Sequence, residues 1–163
     1  MWAELDSPDA IARFLGAFGG FHDACLREIS VSGETFVGED HAMGCPAGLD
    51  TSVFLYFQRG AGPVSAIELA CRQVTGLRLT PSPDGCDSII MGGEVTRADE
   101  ALRLAVNFVA GPLRSVPNGW RFIAERSYEN PDLEVRARSM AWRALENGLG
   151  KRRRYRSEEH ESA

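Results

Sequence analysis

The order of apolar and polar side chains divides the chain into a short helical opening and a long series of strands. Ile11, Phe14, Leu15 and Phe18 recur at i, i+3, i+4 and i+7, which is one apolar stripe along a helix. Ser7-Pro8-Asp9 supplies its start: a hydroxyl to cap, a proline at the first helical position, and an acid beside the positive end of the dipole. Gly19-Gly20 ends it, because glycine enters the left-handed cap conformation without steric cost. The spacing predicts an amphipathic helix over about 8–18.

Beyond Gly20 the period falls from 3.6 to 2. Residues 24–32 (ACLREISVS) and 52–59 (SVFLYFQR) are rich in β-branched and aromatic types. Ile67, Leu69 and Cys71 alternate with Glu68, Ala70 and Arg72; Leu102, Leu104, Val106 and Phe108 alternate with Arg103, Ala105 and Asn107. SPDG at 82–85 reads as a turn and Gly92-Gly93 as a bulge. Residues 120–128 and 133–139 flank Glu129-Asn130-Pro131-Asp132, a hairpin connection. Strands with no helix between them pair antiparallel instead of through crossovers. The fold class predicted is α+β: a single antiparallel sheet of about six strands with the N-terminal amphipathic helix packed on one face.

Two segments fit both periods. Thr96-x-x-Asp99 before Leu102, Ala105, Val106 and Val109 also matches a capped helix, against the strand reading of 101–109. Asn130-Pro131 before Leu133, Ala137, Met140, Ala141, Ala144 and Leu145 does the same for 133–145. The stricter alternation of 133–139 reads as strand, and leaves room for a helical turn after Ser139. In 52–59, Val53, Leu55 and Phe57 share one face while Phe54 and Tyr56 share the other. A strand apolar on both sides must be covered on both: either the N-terminal helix covers one face, or a partner or a second copy does.

Composition agrees with one ordinary globular domain. The 163 residues are 44% hydrophobic and 25% charged, with mean hydropathy −0.21, which excludes a disordered chain or a collagen-like repeat. The apolar runs fall far short of the roughly 18 residues that span a bilayer. The opening MWAELDSPDA carries acids and no early Lys or Arg, unlike a signal peptide, so a cytoplasmic location with no membrane contact is expected. Net charge is −5, unevenly spread: residues 1–150 hold 20 acidic and 13 basic side chains, and the last 13 residues hold five basic and three acidic. An acidic body repels phosphate, which argues against nucleic acid as a partner except through Lys151–Arg156 (KRRRYR). The expected organisation is one domain over 1–145 and a charged, flexible tail over 146–163, with His160 inside it.

Candidate chemistry is sparse. Cys25, Cys45, Cys71 and Cys86 include no C-x-x-C pair and read as reduced thiols, Cys71 as a small buried hydrophobe. His22-Asp23 could place a base beside a carboxylate, but a metal-dependent phosphohydrolase of the HD type needs a histidine upstream, and none precedes His22. His22, Cys25, His41 and Cys45 supply ligand types for a tetrahedral zinc, off the usual spacing. There is no G-x-S-x-G, no Ser-x-x-Lys and no phosphate-cradling loop. Glu28, Glu68, Glu94 and Glu125 lie on alternating strands and read as solvent-face residues. No catalytic residue, resident metal or cofactor is expected. The residues expected to meet a partner are His22, Asp23, Tyr56 and Trp120; the long loop Gly33–Asp50 is a further place for binding.

The segment GGFHDACLREISVSG, an aromatic-His-Asp leading into the first strand, resembles a pattern in small, mostly uncharacterised bacterial α+β proteins, some of them similar to immunity proteins of polymorphic toxin systems. The matching residues are Phe21, His22, Asp23, Ile29 and Val31, followed by the apolar strand Val53–Phe57, under a third of the chain. The resemblance implies an antiparallel sheet with an N-terminal helix and a binding role without catalysis; it carries over no binding residue. The function expected is a non-catalytic cytosolic protein-interaction module, an immunity-type inhibitor of a basic partner. Two alternatives stand beside it: a small metal-binding protein using His22, Cys25, His41 and Cys45, and a homodimer with a structural role.

Overall fold

In the computed structural model, residues 1–82, 88–108, 114–116, 119–121, 128–151 and 153–155 are described, with side chains omitted for 114–116 and 119–121. Helix α1 (Pro8–Ala17) begins where its signals lie: the Ser7 hydroxyl accepts the Ala10 amide at 3.2 Å, and Pro8 occupies the first turn. A 3₁₀ turn over Gly19–Phe21 follows, with φ of 58°, 60° and 68°. Left-handed backbone is costly for phenylalanine, and packing offsets that cost. The Phe21 ring is fully buried, edge-on to Phe14, Phe18 and Phe57 with centroids 5.6, 5.3 and 5.0 Å away.

The strands are β1 (Ala3–Glu4), β2 (Ala24–Ser32), β3 (Phe36–Val37), β4 (Met43–Gly44), β5 (Ser52–Arg59), β6 (Ala66–Leu79), β7 (Ile89–Ala98), β8 (Ala101–Phe108), β9 (Arg114–Val116), β10 (Gly119–Arg121) and β11 (Leu133–Ala144). Seven of them form one antiparallel sheet in the order β1-β11-β6-β5-β2-β7-β8, and β3–β4 and β9–β10 are separate two-stranded pairs. The α+β class with an antiparallel sheet is therefore as expected, but the sheet is larger than about six strands. Two of its strands were not expected: β1, two residues long and too short to show a period, and β7, read from sequence only as the Gly92-Gly93 bulge; β10, at the start of the expected strand 120–128, pairs with β9 outside this sheet.

β11 pairs with β6 along its whole length and also, over Leu133–Ala137, with β8. The six strands β11, β6, β5, β2, β7 and β8 thus close into a ring, with β1 extending β11 at Ala141–Trp142. Closure leaves fewer open edges to be protected. The shortest seam of the ring is between β2 and β7, where only Ala24–Cys25 and Ile89–Ile90 pair and the Asp23 amide adds a bond to the Ile90 carbonyl at 3.1 Å. Across β7, β8 and β11, Arg103 bridges Glu134 at 2.7 Å and Glu94 at 3.1 Å. The inner face carries the core, with Leu55, Leu69, Leu104 and Val135 fully buried. Helix α1 packs on that same face, Phe14 lying 5.3 Å from the Trp142 ring.

Both ambiguous segments are strand. The helical turn that the sequence left room for after Ser139 does not form, because β11 runs on to Ala144. Its inward positions are Leu133, Val135 and Ala137, then Met140 and Trp142. The change of phase follows the register shift between Arg136 and Ala137 and falls where Gln73 of β6 takes φ 53°. An irregularity of this kind produces i+3 and i+4 spacings that imitate a helix.

A second bulge, at Arg27 in β2, re-aims side chains in the same way: Leu26 faces Phe57, and Glu28 faces Tyr56 instead of Leu55. Among the described residues no helix is long and apolar enough to cross a membrane. The turn at 82–85 past Ser82, the strand expected beyond Arg121, Cys86, Glu125, and the tail beyond Tyr155 with His160 lie outside the described residues.

Candidate functional site

The two bulge-shifted registers assemble a transverse polar row on the outer face. Glu28 pairs with Tyr56, Tyr56 with Glu68, and Glu68 with Arg143, so four adjacent strands present these side chains in one line. The row ends on Trp2, whose ring lies 4.4 Å from the Arg143 guanidinium carbon, a cation–π contact.

This face is covered by chain that follows β11. The Leu145 amide donates to the Ala66 carbonyl at 2.9 Å, turning the segment back over the sheet. Tyr56 Oη donates to the Gly148 carbonyl, and Gln58 Nε2 donates to the carbonyls of Gly148 at 2.7 Å and Gly150 at 3.0 Å. The Arg27 guanidinium donates to the Lys151 carbonyl, and Glu28 accepts the amides of Arg154 at 2.6 Å and Tyr155 at 3.0 Å. Arg154 and Tyr155 then reach Glu68, whose Oε1 accepts Arg154 Nε at 3.0 Å and Tyr155 Oη at 2.9 Å. Arg143 Nε donates to Oε2 of the same carboxylate at 2.7 Å. Within the stretch expected as a charged tail, residues 153–155 are thus seated on the sheet.

Glu68, expected on a solvent face, is 3% exposed; the correction follows from the covering segment, which sequence period alone does not show. Burial works to raise its pKa, but hydrogen bonds from Arg154, Arg143 and Tyr155 outweigh burial and hold the carboxyl below its ordinary range. Burial, and then the bond to Glu68, push the Tyr155 phenol far above its ordinary range, so it remains a donor. The row is an ionised acceptor surrounded by cationic donors. Its chemistry is recognition of a guanidinium and of a peptide main chain.

A second surface lies in the β2–β5 connection, where β3 and β4 form a hairpin in the loop singled out from sequence. Its turn closes through Gly38–Ala42 backbone bonds and an Asp40 Oδ1 bond to the Ala42 amide at 3.0 Å. At its base, Asp50 accepts the Thr35 hydroxyl at 2.7 Å and amide at 3.2 Å, and the hydroxyl bond holds the Asp50 carboxyl below its ordinary range. Phe36 lies against Gly44, where a Cβ would strike the ring, while Val37 pairs with Met43 on the opposite face. Phe36, Val37 and Met43 are 63, 61 and 64% exposed.

The residues singled out for partner binding are dispersed. His22 and Asp23 are exposed beside each other, His22 Nδ1 lying 3.0 Å from Asp23 Oδ2, at the end of the turn that seats Phe21. The His22 carbonyl accepts Arg59 Nε at 3.1 Å, and the Arg59 guanidinium fills the space beside Gly19. Tyr56 is buried with its hydroxyl engaged inside the molecule. Trp120 pairs through its backbone with Ser115, and its side chain lies outside the described residues. Cys25 is on β2, whereas His41 and Cys45 are exposed in the hairpin region. Among the described residues no group of three or more His, Cys, Asp or Glu is arranged to hold a metal. Cys71 is buried and its thiol is pushed up to about 12 by that burial.

Sequence reasoning missed Glu68, Arg143, Arg154 and Tyr155 as one group. The available signal was the two-sided apolar strand Val53–Phe57, which required a cover for its Phe54–Tyr56 face. Comparison with known protein families, with curated proteins and with solved structures gave no match.

Proposed function

We propose that the chain is a non-catalytic protein-interaction module that docks a basic protein partner through the β3–β4 hairpin. The observation that carries this reading is the exposure of Phe36, Val37 and Met43 on a hairpin whose flanks are acidic. Between Gly33 and Thr51 the chain has Glu34, Glu39, Asp40 and Asp50 and no Lys or Arg. An apolar centre supplies burial, and a rim of one sign speeds encounter with a partner of the other sign and disfavours the wrong one. A two-stranded hairpin is marginally stable alone, and packing against a partner would complete it. The resemblance of the His22-Asp23 region to immunity proteins gives this role a specific form, inhibition of a basic enzyme by covering its working surface.

The test is affinity capture at low salt from the cells that produce the protein. Wild-type chain and a triple variant, Phe36→Ser, Val37→Ser and Met43→Ser, are compared. A basic protein retained by wild type, released by salt and not retained by the variant is the expected result. Equal retention by both chains, or no retained partner, overturns the reading.

A further inference from the structure

We propose that the outer face over Glu28, Tyr56 and Glu68 is a second binding site, one for an arginine–tyrosine segment of a basic protein, which the chain's own residues 153–155 occupy. The way that segment is held is the way a receptor holds a peptide. Residues 148–151 and 153–155 belong to no strand. Sheet side chains instead grip their main chain: Tyr56 and Gln58 at the Gly148 carbonyl, Arg27 at the Lys151 carbonyl, and Glu28 at two successive amides. Such contacts are indifferent to the residues gripped. Selectivity comes from one buried carboxylate, Glu68, which takes a guanidinium nitrogen and a phenol on Oε1, and from Phe54, whose ring lies 6.5 Å from that of Tyr155. An arginine followed by a tyrosine meets both requirements, since the planar fork suits a carboxylate and the ring suits an aromatic neighbour.

Glu68 does not depend on this segment for its charge to be neutralised, because Arg143 holds Oε2 independently at 2.5 Å. A vacated site therefore keeps a paired carboxylate, with Oε1 left to receive a new donor. There is also room for exchange. A cleft of about 460 Å³ lies between Tyr56, Gly148, Arg153 and Arg154, and one of about 510 Å³ between Glu28, Val31, Arg153 and Tyr155. The occupying residues follow the end of β11 by a short tether, so they act at an effective concentration on the order of millimolar. A peptide supplied from outside competes against that tether, and its apparent affinity falls by the fraction of molecules whose site is open. The site uses different residues from the hairpin, and neither proposal needs the other.

The experiment titrates an acetylated, amidated peptide, Arg-Arg-Arg-Tyr-Arg, into the full-length chain and into the full-length double variant Arg154→Ala/Tyr155→Ala, followed by calorimetry. Binding to the double variant at least about tenfold tighter than to wild type is expected from removal of the tethered competitor. Adding Glu68→Gln to the double variant is expected to reverse that gain. Equal affinity for wild type and double variant, no binding to the double variant, or a gain that survives Glu68→Gln overturns the proposal. Should the double variant not fold, Arg154→Lys, which keeps the charge and loses the fork, takes its place in the same comparison with the same outcomes.

Discussion

Arg154 and Glu68 are 86 positions apart in the chain and meet with Nε 3.0 Å from Oε1. That contact joins the last described residues to the middle of the sheet, on the face opposite the helix. Glu68→Gln removes the charge that Arg143, Arg154 and Tyr155 share. Hydrogen bonds to a charged group are worth about 1.5–3 kcal/mol each. The arginines are about a third exposed, so solvent screens part of that, and a loss of about 1–3 kcal/mol is expected. Urea unfolding of the two chains measures it, and a change near zero would mean that the cluster adds nothing to stability.

The same carboxylate sets a pH dependence. Its pKa is depressed in the folded chain, so its contribution is fully present above the unfolded value of about 4.3 and is lost as pH falls through the folded value. Glu134 behaves alike: burial raises its pKa, and bonds from Arg103 overcome that and lower it. Melting temperature is therefore expected to drop on acidification below about pH 4.3 and to drop less steeply in Glu68→Gln. Melting curves collected from pH 7 to pH 2 make the comparison; parallel slopes in the two chains would contradict it.

The helix and the strand content were legible because each carries its own local signature: the Ser7 cap and the Ile11–Phe18 stripe, and the alternation around Leu69 and Leu104. The phase change in β11 was not legible, since an irregular pairing with β6 turns alternation into helix-like spacing between Ala137 and Met140. Nor was the ring, which depends on β11 serving β6 and β8 at once. The outer-face cluster was hidden for a related reason. Tyr56 and Glu68 come from the consecutive strands β5 and β6, Arg143 and Arg154 from β11 and the chain after it, and only cross-strand register and a returning chain bring the two pairs together.

Gly148 is a position where absence of a side chain matters. A Cβ built there would collide with the Ala66 side chain and lie 3.1 Å from that of Leu145, so the segment can approach the sheet only with glycine. Gly148→Val is expected to lift the segment and leave the ring intact. Hydrogen exchange should then speed up at the Arg154 and Tyr155 amides by about tenfold or more, with β6 amides unchanged. Unaltered exchange at those two amides would contradict the close approach.

Leu104 points into the ring and is fully buried. Leu104→Asp places an unpaired charge there and is expected to destabilise by several kcal/mol, on the order of 3–5. Denaturant unfolding reports it directly. A near-neutral effect would mean that this face of β8 is not the core face.

The interaction surface itself is open to direct measurement. A photoreactive benzophenone amino acid placed at Phe36, and separately at Arg13 on the exposed side of α1, reports what lies within a side chain's reach in the cells that produce the protein. One basic protein joined to the chain from position 36, and not from position 13, is the result that the hairpin account requires. Adducts that form equally from both positions, or from neither, would contradict it.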